Sequence, residues 1–196
     1  NAAPWRNAPP ASSGLINQTI PKGWSSRTVG DVCEMRNGHG FGPEDWDTEG
    51  LPIIRIQNLN GGQKFDYFSG EPDERWLVES GQILFSWAGT KGVSFGPTVW
   101  RGPRGVLNQH IFKVQPKDHI DSEWLYWVLK HVTDRIEAQS HGFKATLVHV
   151  KKSDIDRQPI FAPPAEGATP HRPHPLHLGS SHRHRRAATR QQPQIR

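Results

Sequence analysis

The sequence predicts an α+β fold: an irregular, mostly antiparallel sheet of short strands, one long amphipathic helix, and disordered segments at both ends. Three observations predict it. Short runs of strand formers recur between Gly, Pro, Asn and Asp clusters, as in Ile83-Leu84-Phe85-Ser86-Trp87. One long stretch, Glu123 to about Gln139, places Leu125, Val128, Val132 and Ile136 on one helical face. And only 34% of the 196 residues are hydrophobic, low enough that part of the chain is expected to stay unfolded.

Residues 1–21 are rich in Ala, Pro, Ser and Asn and carry no apolar period, so they read as a linker or the end of a fragment. Order is expected from Lys22. Thr28 or Ser26 caps a short helix over Val29 to Val32. Cys33 to Arg36 follows as a strand ending at Asn37-Gly38. Residues 39–43 form a glycine-rich loop without the order of a phosphate loop. Leu51 to Leu59 alternates as one strand, with Ile54, Ile56 and Asn58 on one side. After the strand at Ile83, residues 88–92 read as a small-residue loop. Val93 to Phe95 and Thr98 to Trp100 read as strands. Gly105 to Val114 is a run of strand formers interrupted by Asn108, Gln109 and His110. That triplet is either a hydrogen-bonded network fixing strand register or a set of groups presented to a partner. Asn and Gln are the side chains that match adenine edges. Asp121 or Ser122 caps the long helix, Ser153 or Asp154 caps one further turn, and a last strand runs from Gln158 to Phe161 before Pro163-Pro164.

Charge divides unevenly. Residues 163–196 hold six Arg and one Glu, so the net +5 belongs to the tail and the body is neutral. Any nucleic-acid affinity of the body must come from locally clustered Lys and Arg. Cys33, the sole cysteine, excludes a disulfide framework and is expected to be a small buried residue in a reducing compartment. No apolar run approaches the ~20 residues that span a bilayer. A soluble, cytoplasmic protein is expected.

The ordered pieces, taken together, look familiar. They are Thr28-Val29-Gly30-Asp31-Val32, Arg36-Asn37-Gly38, residues 52–58 (Pro-Ile-Ile-Arg-Ile-Gln-Asn), residues 81–90 (Gly-Gln-Ile-Leu-Phe-Ser-Trp-Ala-Gly-Thr), and residues 107–114 (Leu-Asn-Gln-His-Ile-Phe-Lys-Val). The Trp124-Leu125-Tyr126-Trp127 helix, His149-Val150-Lys151-Lys152-Ser153-Asp154 and residues 160–166 complete the set. In this order and spacing the chain resembles one target-recognition domain of the DNA-specificity subunit of type I restriction-modification enzymes, from about Lys22 to Glu166.

The resemblance implies a domain over 22–164 that reads half of a split site in double-stranded DNA. It implies methyltransferase subunits as direct partners and the restriction/translocase subunit as an indirect one. S-adenosylmethionine, ATP and Mg2+ then serve those partner subunits and none binds this chain. The residues agree that this chain performs no chemistry. It has no Asn/Asp-Pro-Pro-Tyr/Phe motif for amino methylation and no Asp…Glu-x-Lys nuclease cluster. The alternative that stays open is a specificity region from a fused methyltransferase-nuclease, or an inert truncated product.

Sequence is read by donors and acceptors at base edges, and phosphates call for positive charge or hydroxyls. Four clusters offer these on candidate loops: Arg55, Gln57, Asn58 and Asn60; Trp87, Thr90 and Lys91; Asn108 and Gln109; and Lys144, Thr146, His149, Lys151 and Lys152. For each, the competing role is a solvated side chain or an internal hydrogen bond.

The family pattern places a spacer helix directly after Pro163-Pro164-Ala165-Glu166. Residues 165–196 form instead a basic tail rich in Pro, His and Arg, expected to be disordered. From Ala168 onward an out-of-frame origin is expected. Codons for residues 168–186 can be chosen so that the neighbouring frame reads QRRIARILSTWDQAIAT, with Ile, Leu and Trp at helical spacing.

Overall fold

The computed structural model describes residues 20, 22–117, 119–139 and 147–164. The expected linker, the tail, Lys144 and Thr146 lie outside the described residues, apart from Ile20.

In chain order the elements are β1 (Ser25–Thr28), α1 (Val29–Val32), β2 (Cys33–Asn37), β3 (Leu51–Ile54), α2 (Ile56–Leu59), β4 (Tyr67–Phe68), β5 (Leu77–Val78), β6 (Ile83–Ser86), β7 (Ala88–Thr90), β8 (Gly96–Val99), β9 (Gly105–Leu107), β10 (Ile111–Pro116), α3 (Ser122–Gln139), β11 (Leu147–His149), α4 (Lys152–Asp156) and β12 (Pro159–Ala162). Two four-stranded sheets, ordered β2-β10-β6-β8 and β4-β3-β9-β5, form the centre. Two-stranded ladders β1-β12 and β11-β7 flank them. Every ladder is antiparallel except β3 with β9. The expected class, α+β with mostly antiparallel short strands and one long helix, holds.

The helix α3 starts where Asp121 accepts the Trp124 N–H at 2.8 Å, an N-cap placed by the sequence. Trp124, Leu125, Leu129, Val132 and Ile136 are buried along it. Leu129 takes the inward place expected of Val128, which packs only partly against the core. This face meets Ile83, Phe85, Phe112 and Val114 of the first sheet in the main core cluster. Each such side chain, fully buried, contributes about 1.5–3 kcal/mol of transfer free energy. Leu84, Leu107, Ile111 and Trp100 build a second cluster, and Phe41, Ile53 and Val106 a third.

Four sequence expectations are corrected. Leu51 to Leu59 is not one strand: β3 ends at Ile54, and Ile56–Leu59 is a helical turn. The cause is Asn58, whose side chain caps that turn from within. Ile53 and Ile54 are both buried, one in each smaller cluster, so this strand has two core faces and no polar side. The loop expected at residues 88–92 is a strand through Thr90, paired with β11. Val93 to Phe95 is a turn, because the Thr90 carbonyl accepts N–H groups from Val93, Ser94 and Phe95. The run from Gly105 to Val114 is two strands in two different sheets, and the Asn108-Gln109-His110 triplet is the joint between them. A smaller change concerns α4. Lys151, not Ser153 or Asp154, stands at its N-cap, without a side-chain cap, and the Asp154 and Ile155 N–H groups donate to the Lys151 carbonyl.

Candidate nucleic-acid interface

The antiparallel register brings Asn37, Ile111, Ser86 and Gly96 to one end of the first sheet. The second sheet is stitched to that same end. Gly38 N–H donates to the Ile111 carbonyl at 3.1 Å, His39 N–H to Leu107 at 2.8 Å, and Asn108 N–H to Ile54 at 3.0 Å. Gly38 is obligatory there: a Cβ on it would sit 2.2 Å from the Leu107 carbonyl oxygen. As a result the segments after β2, β3, β6 and β9, far apart in sequence, emerge side by side.

Trp87 is the post at the centre of this end. Its indole N–H is shared between the Gln109 carbonyl at 3.1 Å and the Asn37 side-chain oxygen at 3.2 Å. The His149 ring meets the indole edge-on at 4.7 Å, and His110 lies tilted at 5.4 Å. The Trp87 carbonyl accepts the Val150 N–H at 3.0 Å, which carries β11 into the group. Trp87, Gln109 and His149, from three of the four candidate clusters, are therefore in direct contact. Asn108 joins them through the shared turn, and the Arg55 segment joins through the Asn108–Ile54 bond.

The candidates differ in what they have left to offer. Asn58 is 7% exposed. Its oxygen accepts the Arg55 N–H at 2.9 Å, and its amide donates to the Gly62 and Lys64 carbonyls at 3.1 and 2.8 Å. With donors and acceptor spent internally, Asn58 holds the loop and does not present an edge to DNA. Arg55 is largely committed too: it ion-pairs with Asp66 and lies 4.8 Å over the exposed Trp46 ring. Asn60 is exposed and donates to the Ile56 carbonyl at 2.7 Å, and its side-chain oxygen makes no hydrogen bond with another described residue. Gln57 is exposed on α2 and makes no side-chain hydrogen bond with another described residue.

Thr90 is half-buried in β7 and shapes the following turn. Lys91, exposed, donates to the Glu137 carbonyl at 2.7 Å, while Glu137 accepts the Gly92 N–H at 2.8 Å. A cation at the last carbonyls of α3 is favourable with the helix dipole, and it pins the loop. Trp87 is half-buried and packed against the main core, so it is a support more than an open stacking platform.

Asn108 is 8% exposed and its amide has no hydrogen-bond partner among the described residues. The Gln109 side-chain oxygen is buried without one. A buried oxygen left unpaired, as that of Gln109 is, costs about 1–3 kcal/mol. Lys151 is exposed beside the group at the start of α4, whereas Lys152 is paired with Asp156.

Lysine and cysteine chemistry elsewhere is structural. Burial lowers the Lys113 pKa, and its ammonium serves the Leu77 and Glu74 carbonyls at 2.9 and 3.2 Å. Burial likewise pushes the Cys33 thiol up to about 12, as expected for a packed, inert residue. Two residues of this end were missed by sequence reasoning. Trp46 stood in an irregular run, and Asn37 read as the end of a strand and part of the Arg36-Asn37-Gly38 piece, with no binding role attached.

The arrangement is a sheet scaffold carrying polar loops at one end, with amide groups and a lysine exposed. Its class is that of a DNA-specificity domain. Residues 21–167 match the model of the type I restriction modification DNA specificity domain, and the chain belongs to that family. It is 24% identical over 156 residues to the type I restriction enzyme EcoBI specificity subunit of Escherichia coli, covering 78% of this chain and 31% of that protein. The fold matches the HsdS subunit from Thermoanaerobacter tengcongensis at 19% identity with a TM-score of 0.57, over 78% of this chain and 36% of that one. A chain from the structure of an assembled type I R-M system matches at 20% identity and TM-score 0.59, over 79% and 37%. The chain thus spans about a third of the length of the relatives it matches.

Proposed function

We propose that this chain reads one half-site of a bipartite sequence in double-stranded DNA, as a non-catalytic part of a type I restriction-modification complex. The observation that carries the reading is the convergence of four sequence-distant loops at one end of two sheets, with Gln57, Asn108, Gln109 and Asn60 holding unspent donors or acceptors there. Lys91 and Lys151 supply the phosphate contacts that set register, while the amides discriminate bases. Methyltransferase subunits are the direct partners and a restriction/translocase subunit the indirect one. S-adenosylmethionine, ATP and Mg2+ act in those subunits. The working compartment is the cytoplasm. Among the described residues no helix is long and apolar enough to cross a membrane.

Binding is weak in isolation, because the neutral body neutralises few phosphates. Titration of the chain, with its methyltransferase subunits, against a randomised duplex pool tests the reading. Enrichment of a short fixed sequence is expected. A pool that emerges unenriched would refute it.

A further inference from the structure

Asn37 closes β2 at the recognition end, and its side chain is exposed. Its oxygen accepts the Trp87 indole N–H at 3.2 Å. An indole nitrogen only donates, so the amide cannot turn its NH2 group towards Trp87. Asn37 is thereby locked in one of its two flip states, oxygen inward and both amide hydrogens outward. No described residue accepts from that NH2 group. The post that locks it is itself held, by the Gln109 carbonyl at 3.1 Å and by Phe112 and His149 against its ring. The backbone of Asn37 is fixed as well, in register with Phe112 of β10.

We infer that Asn37 is a specificity-determining residue that faces DNA as a pure hydrogen-bond donor, with Trp87 as its positioning residue. This inference rests on the proposed reading of this end as the DNA interface. In the major groove guanine offers two acceptors, thymine one and adenine N7, but cytosine shows only an amino donor. The base facing Asn37 is therefore an acceptor-bearing one, and cytosine is rejected there. Free asparagine would accept either class by flipping; the indole removes that choice. The expected discrimination at this one position is about tenfold.

The test is selection of bound sequences from a randomised duplex pool by the full chain with its methyltransferase subunits, run for wild type, Asn37→Asp and Trp87→Phe. Asp keeps the acceptor that faces Trp87 but turns an acceptor outward. Its added charge weakens all duplexes alike and drops out of the comparison between bases. The expected result is a wild-type motif with one position that excludes cytosine. In Asn37→Asp that position alone moves towards cytosine or adenine, whose amino groups donate. Phe keeps the ring packing and loses the N–H, so Trp87→Phe should broaden the same position without moving the others. A wild-type motif left unchanged by Asn37→Asp overturns the inference while the DNA-reading function stands. A motif left equally sharp by Trp87→Phe overturns the role of the indole. Absence of any wild-type motif overturns both the function and the inference.

Discussion

The side-chain oxygen of Asn58 accepts the backbone N–H of Arg55 at 2.9 Å, closing the turn that ends β3. Its amide spans the loop to Gly62 and Lys64. Three hydrogen bonds to one buried side chain make it the keystone of the segment that presents Gln57. Asn58→Ala removes a helix cap and two further hydrogen bonds, to the carbonyls of half-buried Gly62 and exposed Lys64, at a combined cost of about 1–2 kcal/mol. Urea denaturation should show the midpoint falling with little change in slope. An unchanged midpoint would mean that the loop holds without Asn58.

The capping box at α1 gives a pH signature. Asp31 accepts the Thr28 backbone N–H at 2.7 Å and the Thr28 hydroxyl at 2.8 Å. These two bonds, the backbone one foremost, hold its pKa below the ordinary 3.8. A carboxylate with a depressed folded pKa contributes stability that is full above its unfolded value and lost as pH falls through the folded one. The stability advantage of wild type over Asp31→Asn should be constant above about pH 5 and shrink on going to about pH 3. Chemical denaturation across that range checks it. A difference that stays flat to low pH would contradict the capping role.

Cys33 predicts a kinetic result. The thiol is buried, its proton held by burial to about 12, and it points at the Val29 carbonyl at 3.5 Å. A thiol reagent should label the native chain slowly at neutral pH and the urea-unfolded chain at once. Equal rates would place Cys33 at an accessible surface.

How much of this was legible beforehand depends on whether a signal was local. Asp121 capping α3 and Thr28 with Asp31 at α1 are contacts within a few residues, and the sequence carries them openly. The Trp87 end is built from long-range bonds, such as Trp87 to Asn37 and Asn108 to Ile54, which no window of neighbours contains. That is why Asn37 went unnoticed while Asn58, a residue of the same type, was taken for a reader. Alternation suggested a strand through residues 51–59 because a turn capped by an internal amide has the same polar–apolar pattern over so short a run. Lys144 and Thr146, candidates in the sequence, lie outside the described residues and stand as proposed contacts. The out-of-frame origin of residues 168–196 stands likewise as a proposal, which the nucleotide sequence of the gene and its neighbours decides.

The most direct measurement compares the Trp87 end with a basic residue at the other end of β9. Arg104, ion-paired with Glu79 at 3.0 Å, precedes β9, whereas Asn108 follows it, so Arg104 marks the opposite end of that strand. Binding of an enriched duplex should be titrated at several salt concentrations with wild type, Lys91→Ala, Gln57→Ala and Arg104→Ala. Lys91→Ala should weaken binding to every sequence and lower the salt slope by about one. Gln57→Ala should lose about 1–3 kcal/mol on the enriched duplex and little on others. Arg104→Ala should bind as wild type does. Binding that falls with Arg104→Ala, and is indifferent to Lys91→Ala and Gln57→Ala, would contradict a recognition surface at the Trp87 end.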